Sequence, residues 1–159
     1  MNIFFLDISP VKAAEFHCDR HVVKMILETA QLCSTAHVVL DGVQVAYKAT
    51  HMNHPSAIWV RMSSANYEWA YNLLVALCEE YRYRYGKTHA AEAHLGALGR
   101  LPKRIRHGSL TPIALAMPDV IKGLYKGVEA YRMYYSLYKR VFSDGKAASW
   151  TKRPAPDWF

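Results

Sequence analysis

Apolar residues recur at helical spacing along most of this chain. Ser9-Pro10 reads as a helix start, a capping residue followed by proline at the first helical position. The pattern runs from there to about Leu40, with a break near Asp19, which would cap a second helix, and a turn at Asp41-Gly42. Residues 2 to 6 read as a short strand or an extended arm, and Val43 to Ala46 as a short extended piece. Pro55 opens a further helix, capped by Asn53 or His54, and its periodicity continues through a kink at Ser63-Ser64 until Gly86. A shorter helix is predicted around Thr88 to Leu98 and a last one from about Tyr125 to Phe142. Between them, Gly99 to Asp119 holds three prolines, two glycines and a run of basic residues, the pattern of a long surface loop. The predicted fold is mainly α: one compact helical domain over residues 1–159, with a long basic loop and room for a short N-terminal strand.

Within the first long apolar segment, His17, His21, Lys24, Glu28 and Gln31 follow one another at spacings of four, three, four and three. On an unbroken helix these five share one narrow face, while Val22, Val23, Met25, Ile26, Leu27, Ala30 and Leu32 bury the rest. A solvated face would be wider and richer in long charged side chains. Ionisable groups confined to one narrow file suggest the wall of an active site. A desolvated Lys24 would have a lowered pKa and could act as an amine nucleophile, with Glu28 one turn away as ion-pair partner or proton carrier. His17 and His21 could exchange protons near neutral pH or bind phosphate. The competing explanation is an ordinary i, i+4 ion pair between Lys24 and Glu28.

The chain has 159 residues, 52% of them hydrophobic, and a formal net charge of +7. That length and composition suit one domain with a genuine core and argue against disorder. No window reaches the apolar length of a membrane span, and the first residues lack the basic start and cleavage site of a secretory signal. Three cysteines, Cys18, Cys33 and Cys78, have no metal-type spacing and are a poor disulfide framework, which fits a reducing cytoplasm. The positive charge favours an anionic partner, nucleic acid ahead of a membrane surface. Candidate contacts are the clustered Lys103, Arg104 and Arg106, together with Arg84 and Lys87 in the tyrosine-rich run Tyr81 to Lys87. Tyrosine with arginine suits stacked bases and phosphates, and equally suits half-buried tyrosines with snorkelling arginines.

A second candidate group is His51-Met52-Asn53-His54-Pro55, followed by Trp59 and Arg61. His51, Asn53 and His54 lie just before a helix start, where free backbone N–H groups seat phosphate or carboxylate. Trp59 reads as core. His17 with His21 and His51 with His54 form two histidine pairs, but no glutamate signature completes a metal site, and no metal or cofactor is expected. No phosphate-binding glycine loop and no serine nucleophile elbow is present.

The order of these motifs resembles the phage and bacterial proteins related to pyrimidine-dimer DNA glycosylases of the endonuclease V type. The matching pieces are Asn2-Ile3-Phe4, then Asp19-Arg20 leading to Lys24 and Glu28. They continue with His51 to Pro55 and Trp59, Cys78 to Gly86, and the aromatic-basic run Tyr131 to Tyr138. The resemblance implies a compact helical fold and a bifunctional reaction. An amine attacks the anomeric carbon of a damaged nucleotide, the base leaves, and the resulting imine permits cleavage at the abasic site with help from a glutamate. Extrusion of the base from the duplex would be part of recognition. The phage enzymes use the α-amine of a small residue exposed after methionine removal. Here residue 2 is Asn2, whose size disfavours that processing, which leaves Lys24 as the substitute amine ahead of the terminal amine, or a reaction without lyase chemistry. Counting from His17, Glu28 also falls one turn beyond the glutamate of the phage enzymes. The expectation is a DNA-acting base-excision glycosylase, with abasic-site lyase activity, on damaged or modified pyrimidines. Glu28, Lys24, His17 and His21 would be catalytic, and His51, Asn53, His54 and Arg61 would join the basic residues in binding DNA. A phage DNA base-modification enzyme and a non-catalytic, basic DNA-binding or host-interaction protein are the alternatives.

Overall fold

Two long helices carry the architecture. In the computed structural model, which describes residues 1–159, α2 (Asp19–Asp41) packs along α4 (Ser64–Tyr85). Met25, Ile26, Leu32, Cys33 and Ala36 of α2 meet a core that includes Ala70, Leu73, Leu74 and Leu77 of α4. The short α1 (Pro10–Phe16) also lies on α4, and α3 (Pro55–Val60) on α2. A 3-10 turn (Ala90–His94), α5 (Leu95–Leu98), α6 (Asp119–Leu124) and α7 (Gly127–Tyr138) complete the chain. There is no β-sheet, only one isolated bridge between Val141 and Ala147. The mainly α fold expected from the periodicity is therefore present. No helix is long and apolar enough to cross a membrane.

Most boundaries have the local chemistry that the sequence announced. Ser9 accepts from the Lys12 N–H ahead of Pro10, and His54 rather than Asn53 caps α3. Gly42 and Gly86 end the long helices at φ +72° and +64°, left-handed conformations that glycine adopts without strain. At Ser63 there is a full break, not a kink: its hydroxyl accepts from Asn66 N–H and starts α4 afresh. Asp19 is not a cap. It is the first residue of α2, after Cys18, and its carboxylate instead gathers Arg84, Ser149 and Thr151. Val43 to Ala46 forms no regular element, the predicted helix from Thr88 splits into the 3-10 turn and α5, and α6 is a helix that periodicity did not announce.

The chain start is an arm and not a strand. Ile3, Phe4, Phe5 and Leu6 are 0–5% exposed and run through the core without a strand partner. The Phe5 ring stacks on Trp69 at 4.4 Å and meets Trp59 edge-on at 4.8 Å, while Phe4 meets Tyr135 of α7 edge-on at 5.3 Å. Hydrophobic burial of four consecutive residues fixes where the first two residues of the chain must lie.

Candidate active site

Glu28 is the centre of the arrangement. Its half-buried carboxylate lies in the N-terminal half of α2, where the arm brings the chain start against it. The Met1 ammonium is 3.9 Å from Oε2, and the Asn2 backbone N–H donates to the same oxygen at 3.0 Å. Oε1 faces the Lys24 ammonium at 3.5 Å. One carboxylate thus sits between two primary amines. The two amines differ in setting: the Lys24 side chain is 63% exposed, whereas the Met1 amine belongs to a half-buried residue joined to the anchored Asn2. The desolvation of Lys24 that the sequence suggested is absent.

Asn2 bolts this end of the chain in place. Its Nδ2 donates to Ala116 O at 3.0 Å, and its Oδ1 accepts from Ile3 N–H at 2.8 Å and from the Ser56 hydroxyl at 3.2 Å. The Tyr131 hydroxyl lies 3.3 Å from the same oxygen and donates to Ala114 O at 2.7 Å. Three distant segments of sequence therefore converge on residue 2. Sequence reasoning missed Asn2, Ser56 and Tyr131 as site residues, and no local pattern announces a hub whose partners lie 54 and 129 positions away.

His54 joins the same neighbourhood. Its Nδ1 accepts the Ser56 N–H at 3.2 Å, so the neutral ring carries its proton on Nε2. Burial holds its pKa below the usual range; the nearby N-terminal ammonium and His51 push the same way, and Glu28 opposes them. His54 is thus a neutral imidazole within electrostatic reach of both the amine and the carboxylate. His51 and Asn53 are exposed on the loop before α3. His51 has φ +47°, and its Nδ1 lies 2.6 Å from the Thr50 hydroxyl. Arg61 donates to Met52 O at 2.7 Å and so fastens that loop.

Other expected site residues are elsewhere. His17 is not on the α2 face at all: the chain turns at Cys18, and His17 caps α1 with its Nδ1 2.6 Å from Ala13 O. It is fully buried, and burial lowers its pKa to about 4. His21 is also buried, bonded to the Tyr135 hydroxyl at 2.6 Å and packed on Phe4, with its pKa lowered by burial to about 3. Neither exchanges protons near neutral pH. Arg84 is a structural residue, not a DNA contact: fully buried, it donates to Glu80 at 2.7 Å, Asp19 at 3.0 Å and Glu15 O at 3.0 Å. Lys87 is exposed just past the end of α4. Lys103 and Arg104 stand by Asp41, thirteen residues from Glu28 along α2, or about 20 Å at the helical rise. Arg106 borders a separate cleft with Ser63 and Thr111.

Beside Lys24 the surface opens into a basic cleft of about 380 Å³ between α2 and the segment after α7, with Arg20, His21, Lys139 and Ser143 in its lining. Glu28 itself is one turn further along the helix. Lys139 is held over the Tyr134 ring at 4.9 Å, and Arg20 lies over Phe142 at 4.5 Å while pairing with Asp144. The amine–carboxylate pair, the neutral imidazole and this basic cleft could together bind an anionic ligand and move a proton between an amine and a carboxylate. No three His, Cys, Asp or Glu side chains are grouped so that they could hold a metal ion. Compared with known protein families, curated proteins and solved structures, the chain matches none of them.

Proposed function

We propose that this chain is a DNA-acting enzyme that removes a damaged or modified pyrimidine through an amine nucleophile beside Glu28, with abasic-site lyase activity. The observation that carries this reading is the Met1 ammonium 3.9 Å from a half-buried carboxylate, held there by the Asn2 hub and the buried arm. An ammonium must lose a proton before it can attack, and Glu28 is the acceptor at hand. The neutral amine then forms an N–C bond to the anomeric carbon while the bond from that carbon to the base breaks. The base leaves with the electron pair and takes up a proton. Opening of the sugar ring gives an iminium, and loss of a proton from the adjacent carbon expels the 3′ phosphate. Arg20, Lys24 and Lys139 supply positive charge for the flanking phosphates. This assignment departs from the sequence expectation, which gave the nucleophile first to Lys24. An exposed lysine keeps its hydration, whereas the chain-start amine is tethered through the backbone to the anchored Asn2.

The test is Glu28→Gln on ultraviolet-irradiated and abasic duplex DNA. Turnover should fall about a hundredfold or more, as for loss of a general acid–base group, with duplex affinity within about twofold. Undiminished turnover in E28Q contradicts the reading. One observation favours a second, non-catalytic reading: both Glu28 oxygens already have partners, as in a clamp holding the chain start to α2. On that reading the wild-type chain binds DNA without altering it, and E28Q lowers only the melting temperature.

A further inference from the structure

At the far end of α2 from Glu28 lies a cleft of about 480 Å³, a volume in the range of ligand pockets. One wall is apolar, formed by Val43, Val45, Ala97 and Leu101. The other carries Arg100, Lys103 and Arg104, none of which pairs with a carboxylate anywhere in the chain. Asp41 is the one acid in the lining, and its oxygens already accept the backbone N–H groups of Lys103 at 2.7 Å and Arg104 at 3.0 Å. That carboxylate shapes the turn presenting the cations; three positive charges face one negative. The floor is rigid as well. Buried His37 bonds the Tyr67 hydroxyl at 2.9 Å, which donates to Leu98 O at 2.8 Å.

We infer that this cleft is a second ligand site, for a phosphate-bearing nucleotide unit, free or within a strand. Two guanidinium groups and an ammonium match the several oxygens and double charge of a phosphate, and the apolar wall suits the sugar and base. The cleft lies about 20 Å from Glu28 along α2, further than one nucleotide reaches, so its occupant is not the nucleotide that meets the amine. The inference does not depend on the amine chemistry. Its rival is that the three cations merely offset the negative end of the α2 dipole.

Calorimetric titration of the full chain distinguishes these. The probes are thymidine 5′-monophosphate, inorganic phosphate and a short single-stranded oligonucleotide. The proposal expects the monophosphate or the oligonucleotide to bind more tightly than inorganic phosphate. That binding weakens about tenfold or more in the double variant Arg100→Gln/Arg104→Gln, and likewise in Val43→Phe, which fills the cleft without altering charge. Lys12→Gln, which removes one surface charge paired with Glu15 away from both sites, should bind these probes as wild type does. Binding of the free nucleotide assigns a small-molecule site, and binding of the oligonucleotide alone assigns a strand contact. The proposal is overturned if no probe binds, if inorganic phosphate binds as well as the nucleotide, or if the double variant or Val43→Phe binds like wild type. A lowered melting temperature in the double variant with nucleotide binding unaltered establishes the rival instead.

Discussion

Residue 2 shows how one short side chain can set the geometry of a site. Asn2 reaches α3 through Ser56, α7 through Tyr131 and the long loop through Ala116, and so holds the Met1 amine against Glu28. Asn2→Ala removes these bonds while leaving Phe5 packed in the core. It should cost about 1–3 kcal/mol in chemical denaturation and reduce covalent trapping on abasic DNA more than it reduces binding to the same DNA. Trapping equal to wild type would mean that the arm alone orients the amine. Arg84 illustrates the opposite outcome. Its tyrosine-rich setting reads as a nucleic-acid contact, yet in the fold it joins Glu80, Asp19 and the Glu15 carbonyl at a buried junction, with Arg153 clasping Glu80 from the other side at 2.9 Å. Arg84→Met removes the bonds to Glu80, Asp19 and the Glu15 carbonyl while Arg153 keeps Glu80 paired, so a loss of about 1–3 kcal/mol is expected. The fraction that folds should bind duplex DNA as wild type does. Sequence reasoning cannot separate the two roles of an arginine beside tyrosines, because the partners Glu15 and Asp19 lie 69 and 65 positions away.

At the scale of elements, the helices were legible because their signals are local: Ser9-Pro10, His54-Pro55, Gly42 and Gly86 each act within one turn. The lysine–glutamate step was legible for the same reason, since Lys24 and Glu28 lie four apart on one continuous helix. His17 was misread because helical spacing was carried across the break at Cys18, where the backbone is extended. The arm was legible only as apolar; nothing in five residues says that they cross a core built from α4 and α7. Its energetic weight makes a clear prediction. Phe5 is 1% exposed and lies against Trp59, Trp69 and Tyr131. Phe5→Ala should therefore destabilise by about 3–5 kcal/mol. Because the arm carries the amine, residual activity in F5A should fall further than the folded fraction does, as measured by circular dichroism alongside strand cleavage.

For the molecule as a whole, two buried histidines govern stability below neutral pH. Burial lowers His17 to about 4 and His21 to about 3 from an ordinary 6.5. Between those values and 6.5 the unfolded chain takes up protons that the folded chain refuses. The stabilisation is therefore full above pH 6.5 and is lost progressively as pH falls toward 4. Melting temperatures measured from pH 8 to 4.5 should decline over that interval, with a shallower slope in His17→Gln; a flat profile contradicts the burial of both rings as neutral groups. The net charge of +7 favours polyanions in general, in a salt-dependent way, and carries no chemistry by itself. What separates an enzyme from a basic scaffold is the amine at Glu28. The most direct measurement is borohydride trapping on abasic duplex DNA, with the adduct located by peptide mass analysis. A covalent adduct on the Met1 peptide, absent in Glu28→Gln, is predicted. An adduct on Lys24 would contradict the choice of amine, and no adduct at all would contradict imine chemistry at this site.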